Sequence, residues 1–338
     1  MKKSKKMGPV DFPLFLTIML LVAIGIVMVF SSSSYTSALN PKINDSMHYL
    51  KRQGFFAIIG TFFMIITIKF DYHKIRKFTI LLMIFTLVLL GLVFAFDPVN
   101  GSQRWISIGG QGFQPSELAK YVIVFYMAKG IEIKGDKIKS LFKGVIPFIL
   151  ISGIYAGAIL IEPNLSMASI IFIVTIILLF VGGMKKTHLF IYIMPFFVVL
   201  GGAAAYLSPY RRKRLLNFLN PWADPLGDGY QLVQSLLAIG SGGLWGVGLG
   251  QSRQKCFFLP EAHTDFIFSV IAEELGLIGC IVIILLFLTL IWRGVVISIK
   301  AKDIYGTILA AGITSVIAVQ AILNIAVVSG SFPVTGVP

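Results

Sequence analysis

A bundle of apolar helices crossing a membrane is the fold class the sequence predicts, and three observations predict it. Hydrophobic residues make up 57% of the 338 and charged residues only 13%, about half the share usual in soluble domains. Mean hydropathy is +0.88. Apolar runs of about 17–25 residues, the length that crosses a bilayer as a helix, recur along the whole chain.

The first run, near 13–33, follows a basic cluster of Lys2, Lys3, Lys5 and Lys6. It is too long for a removable leader and no small-residue cleavage site follows it, so it reads as a spanning helix. Further runs lie near 53–70, 78–96, 144–161, 164–183, 189–207, 265–292 and 304–327. A shorter, charged segment, 115–130, opens on Pro115, which suits the first turn of a helix. This makes nine spans of an all-α polytopic membrane protein. Most of the 29 lysines and arginines fall in connections on the same side as the N terminus, which puts that terminus in the cytoplasm. The net charge of +14 therefore reflects topology, and no nucleic-acid partner is expected. Residues 1–338 form a single transmembrane domain with one large extracytoplasmic loop, 208–264, between the seventh and eighth helices.

That loop departs from the charge pattern, because Arg211, Arg212, Lys213 and Arg214 stand consecutively on the outer side. Leu232, Leu236 and Ile239 then follow helical spacing, and a glycine-rich stretch from Gly240 to Gly250 comes after. No Lys-Ser/Thr follows these glycines and their spacing is not that of a dinucleotide fingerprint. They read as an interfacial amphipathic helix followed by a tight, re-entrant turn built for close backbone packing. Cys256 and Cys280 sit too far apart to pair.

Four carboxylates, Glu261, Asp265, Glu273 and Glu274, crowd the start of the eighth apolar run. With Thr264 as an N-cap, Asp265 falls in the first helical turn, where the helix dipole favours an anion. A capping role and a chemical one are both open to it. A helix continuing through Glu273 and Glu274 sends them to different faces, so at least one is expected to hold a buried amine or amide. Glu117 and Lys120, three apart on one helix, can form a structural ion pair or line a wet cavity. Glu162 and Asn164 flank the helix-breaking Pro163 at another outer turn. Gathered at one membrane face, such groups suit a lipid-linked phosphate or pyrophosphate: cations hold the phosphates and a carboxylate takes a proton from an attacking hydroxyl.

The blocks "GSQRWISIGGQGFQPSELAK", "GDGYQLVQSLLAIGSGGLWGVGLGQSRQK", "LPEAHTDFIFSVIAEELGLIG" and "SFPVTGVP" resemble the SEDS family (shape, elongation, division and sporulation), in wording closer to its FtsW and SpoVE branch than to RodA. The resemblance spans nearly the whole chain. It implies a peptidoglycan glycosyltransferase that polymerises lipid II at the outer face of the bacterial cytoplasmic membrane, in division or sporulation. It implies Asp265 as the catalytic carboxylate, with Glu117 and Lys120 lining the cavity. Arg104, Arg211, Arg212, Arg214, Glu162 and Lys255 complete the expected substrate-binding set. Asn164 stands where the family commonly has aspartate. Implied partners are a class B penicillin-binding protein transpeptidase and other division or sporulation membrane proteins. The family also implies a tenth helix beyond Pro338. A divalent cation, Mg or Mn, is compatible with a pyrophosphate leaving group, and the sequence spells no ligand set for it or for zinc. A lipid II flippase and a division scaffold are the rival readings, and polar groups spread along the whole path would mark the flippase.

Overall fold

The structure, a computed structural model, describes residues 10–98, 103–108, 111–207, 217–227 and 229–334. Its helices are α1 (Phe12–Leu39), α2 (His48–Ile68), α3 (His73–Leu92), α4 (Pro115–Lys134), α5 (Ile146–Ile161), α6 (Leu165–Val181), α7 (Met194–Leu207), α8 (Tyr230–Gly242), α9 (Ile267–Ile299) and α10 (Ile304–Val328). Among the described residues six helical segments are long and apolar enough to cross a membrane: Phe12–Leu39, His48–Ile68, His73–Ala95, Leu141–Ile161, Ile267–Ile299 and Ile304–Val328. Leu165–Val181 and His188–Phe197 are shorter apolar helices. Each apolar run read from the sequence is helical, and α8 is the additional helix expected within the large loop.

Local chemistry sets the helix starts. Asp11 caps α1, its carboxylate accepting from the Leu14 N–H at 3.1 Å, with Pro13 in the first turn. Asn164 caps α6 through the Met167 N–H at 3.2 Å. Pro115 opens α4, as its fixed φ favours. The first helix runs on to Leu39, past the serine run at which the apolar pattern stops. Ser32 and Ser33 make this possible by donating back to the Met28 and Val29 carbonyls at 2.8 and 2.6 Å.

The charged helix α4 occupies the centre, packed against α3, α6 and α10. Ala119, Val122, Ile123, Val124, Met127 and Ala128 are fully buried there. Because α4 meets protein rather than lipid, it can carry Glu117 and Lys120 without exposing them to hydrocarbon. By contrast, α2 buries no residue. A second apolar core joins Met28 of α1, the loop residues Leu259, Ala262 and Phe266, and the first turns of α9. Between α3 and α4 a short antiparallel hairpin, β1 (Ile106–Ile108) and β2 (Gln111–Phe113), pairs Ile106 with Phe113 and Ser107 with Gly112.

The continuous helix expected through Glu273 and Glu274 is interrupted. Gly276 has φ +67 and ψ −167, which breaks α9 into two pieces. The glycine turn after α8 closes the break through the backbone. Val247 and Gly248 donate to the Glu273 and Glu274 carbonyls at 2.9 and 3.1 Å, and Leu277 and Ile278 donate to the Gly243 and Leu244 carbonyls at 2.9 and 3.3 Å. These four bonds pair main-chain groups that the break takes out of the helical ladder, as a non-aqueous setting requires. Approach is close enough to exclude a side chain: a Cβ on Gly246 would lie 2.2 Å from the Glu274 carbonyl oxygen, and one on Gly276 would lie 2.3 Å from the Gly246 nitrogen. Close backbone packing is therefore what the glycines provide.

Candidate functional site

The site is assembled from three connections at the end of the bundle where the large loop lies. The first is the segment before β1. Arg104 crosses from it to the turn between α5 and α6, where its Nε donates to the Glu162 carbonyl at 3.1 Å and its Nη2 to the Pro163 carbonyl at 2.6 Å. These bonds satisfy carbonyls that Pro163 leaves without helical partners. Beside Arg104, the Glu162 side chain is fully buried and neither carboxylate oxygen has a hydrogen-bond partner among the described residues. Burial raises its acid from 4.5 to about 8, with the Arg104 charge pulling the other way.

The third connection carries Asp265, and here the local expectation needs correcting. Helix α9 starts at Ile267 with Phe266 at the N-cap and no side-chain cap, so Thr264 does not cap it and Asp265 lies ahead of the first turn. The Thr264 hydroxyl is engaged instead with the Glu261 carboxylate at 2.9 Å. Two backbone bonds to the Glu261 carbonyl, from Thr264 and Phe266 at 3.2 Å each, fold the stretch into a tight turn. Ala262 and Phe266 anchor that turn in the second core, and His263 packs on the Tyr49 ring of α2 with centroids 4.6 Å apart. Asn324 of α10 clamps it from beneath, donating to the Asp265 carbonyl at 2.8 Å.

With the dipole out of play, burial dominates the Asp265 carboxyl. It is raised from 3.8 to about 6, first by burial and then by Glu261, while Arg104 opposes the shift. A carboxylate in that range is ionised at neutral pH yet basic enough to accept a proton in a reaction. Arg104 is the shared element, since its charge acts on both Glu162 and Asp265.

Arg104, Glu162, Glu261 and Asp265 are thus brought together. Glu117 and Lys120 form an ion pair of 2.7 Å on α4, with Lys120 buried and Glu117 partly exposed. Lys255 is placed elsewhere. Its ammonium is buried 2.7 Å from Glu274, which also accepts from the Ser31 hydroxyl at 2.6 Å. Glu273 accepts from the Ser252 hydroxyl and from the Arg253 and Gln254 N–H groups. Both deeper carboxylates therefore hold buried donors. Arg211, Arg212 and Arg214 lie outside the described residues. Among the described residues no three His, Cys, Asp or Glu side chains gather into one group. Asn324 was not singled out by sequence reasoning; the available signal was a pair of amides, Gln320 and Asn324, four apart in the mainly apolar α10.

Fold and site together define a polytopic helical membrane protein with a half-buried, weakly acidic aspartate poised beside an arginine. The chain belongs to the FtsW/RodA/SpoVE family of cell cycle proteins, whose family model matches residues 12–338. It is 42% identical to Stage V sporulation protein E of Bacillus subtilis (strain 168), over 99% of this chain and 91% of that protein. It is 41% identical to a probable peptidoglycan glycosyltransferase FtsW of Trichlorobacter lovleyi (strain ATCC BAA-1151 / DSM 17278 / SZ), over 99% of this chain and 88% of that one. Among solved structures it is similar to a chain of a peptidoglycan synthase complex that coordinates polymerization and crosslinking, with TM-score 0.80, 26% identity, and 97% of this chain and 89% of that one covered. The rod shape determining protein RodA of Thermus thermophilus matches with TM-score 0.67 and 25% identity, over 97% and 87% of the two chains. Six apolar helices and family membership make it a multi-pass protein of the cytoplasmic membrane.

Proposed function

We propose that the chain is a peptidoglycan glycosyltransferase that polymerises lipid II at the outer face of the membrane, with Asp265 as general base. The observation that carries this is the Asp265 carboxyl, lifted to about 6 beside Arg104 in a turn pinned from α2 and α10. In the reaction the 4-hydroxyl of the acceptor's terminal N-acetylglucosamine attacks C1 of the donor's N-acetylmuramic acid. Its proton passes to the Asp265 carboxylate as the new C1–O bond forms. The bond from C1 to the pyrophosphate breaks on the opposite face, so undecaprenyl pyrophosphate leaves and the configuration inverts. Cations of the loop, Arg211, Arg212 and Arg214, together with Arg104, are suited to hold the phosphates. The Glu117–Lys120 pair is suited to line the substrate cavity. A class B penicillin-binding protein transpeptidase is the partner that fits a polymerase whose product must be crosslinked.

Lipid transport is the less supported reading. A transport path needs polar groups available through its depth, and Glu273, Glu274 and Lys255 are each committed to partners within the protein. The test is lipid II polymerisation by the purified chain, alone and with its transpeptidase partner, beside Asp265→Asn. Glycan strands from the unaltered chain and none from the variant support the reading; normal turnover by a folded Asp265→Asn variant sinks it.

A further inference from the structure

The reaction as written gives Glu162 no task. Its side chain is 0% exposed, and among the described residues neither oxygen has a donor. An ionised carboxylate beside a guanidinium ordinarily takes it as a bidentate pair, and a buried one left without any donor suffers a heavy desolvation penalty. Arg104 nevertheless passes the carboxyl by and donates to the backbone carbonyls of Glu162 and Pro163. That geometry belongs to a neutral acid. We propose that Glu162 is a positioning residue that keeps its proton in the working protein, so that the Arg104 side chain is left to hold the α5–α6 turn and act on Asp265 rather than being drawn into an ion pair with Glu162.

The electrostatics of the neighbourhood agree. The Arg104 charge acts on Glu162 and also on Asp265, where Glu261 acts in the opposite sense. Glu162, at about 8, is protonated at neutral pH, and Asp265, at about 6, is not. The two carboxyls are split by burial into one neutral acid and one usable base. Raising the pH ionises Glu162. Its carboxylate then competes for Arg104, draws it off the backbone carbonyls, and adds negative charge where a pyrophosphate must be accommodated. The proposal rests on Asp265 acting as the base, and it predicts a bell-shaped pH profile whose acid limb belongs to Asp265 and whose alkaline limb belongs to Glu162.

The test measures lipid II polymerisation from about pH 5 to about pH 10 by the full chain with its transpeptidase partner. For the unaltered chain, a group titrating at about 8 makes turnover at about pH 9 roughly one-tenth of that at about pH 7. In Glu162→Gln, which cannot ionise, that ratio rises to near one and the acid limb stays in place. Glu162→Asp restores an alkaline limb, which a purely structural role would not produce. Infrared difference spectra give a readout independent of turnover: the carbonyl stretch of a protonated carboxyl, present at neutral pH in the unaltered chain and in Asp265→Asn, and lost in Glu162→Gln. An alkaline limb that survives in Glu162→Gln, or the absence of that band from the unaltered chain, overturns the proposal. Normal polymerisation by Asp265→Asn with the band in place overturns the base reading instead, so the two failures are distinguishable.

Discussion

The four carboxylates between Glu261 and Glu274 fall into two settings on either side of the start of α9. Glu273 and Glu274 are buried and saturated: a lysine, two serine hydroxyls and backbone N–H groups point at them. Asp265, with Glu261 beside it, has no hydrogen-bond donor to its carboxylate among the described residues and is pushed up by burial. Charges buried with their partners hold the fold, whereas a charge buried without them stores the reactivity that a proton transfer uses. Net charge and sequence distance do not separate Asp265 from Glu273 and Glu274; the count of donors does.

The sharpest way to break this comparison is to remove one charge from each setting. Asp265→Asn is expected to lower polymerisation by about 10²–10⁴-fold, the span of general base catalysis, with the melting temperature in detergent unchanged. Lys255→Ala does the reverse. It strands Glu274 as a buried charge and is expected to destabilise the fold by about 3–5 kcal/mol, read as a lower melting temperature and a lower yield of folded protein. The double variant Lys255→Met with Glu274→Gln should recover part of that loss, because no lone charge remains. If Lys255→Ala melts normally, the saturated setting is not structural.

Gly246→Ala tests the turn that delivers Ser252 and Lys255 to those carboxylates. With φ +80 and a Cβ 2.2 Å from the Glu274 carbonyl oxygen, about 1–3 kcal/mol of strain is expected, measurable in the same thermal assay. The smallest effect is electrostatic. Arg104 holds the Asp265 carboxyl below where burial and Glu261 would leave it, so Arg104→Gln should move the acid limb of the pH profile upward. Turnover near pH 6 then falls a few-fold more than turnover near pH 8. A uniform loss across the profile would show that Arg104 acts only through the α5–α6 turn.

Much of this was legible in the sequence. Spanning lengths located the helices, Pro115 marked the start of α4, and the glycine spacing announced backbone contact rather than a nucleotide site. At least one of Glu273 and Glu274 was expected to hold a buried donor, and both do. Thr264 misled because it is a good capping residue, and only the tertiary turn shows its hydroxyl taken by Glu261. The break at Gly276 was invisible for a related reason. A glycine in an apolar run is compatible with a helix, and what interrupts this one is hydrogen bonding from a turn distant in sequence. Lys255 read as another outer cation, since nothing local reveals that its chain folds back onto Glu274 and Ser31.

The repaired break in α9 also carries a consequence for biogenesis. Chain growth delivers the glycine turn before the helix it serves, so the donors Val247 and Gly248 are already synthesised when the Glu273 and Glu274 carbonyls reach the bilayer. Without them the interruption would enter lipid with bare polar backbone, which hydrocarbon does not tolerate. Because the match is made by main-chain groups, it depends on register rather than on side-chain identity. Inserting or deleting one residue between Gly243 and Gly248 should therefore impair membrane insertion more than most side-chain replacements there, which makes the glycine turn an assembly element for α9.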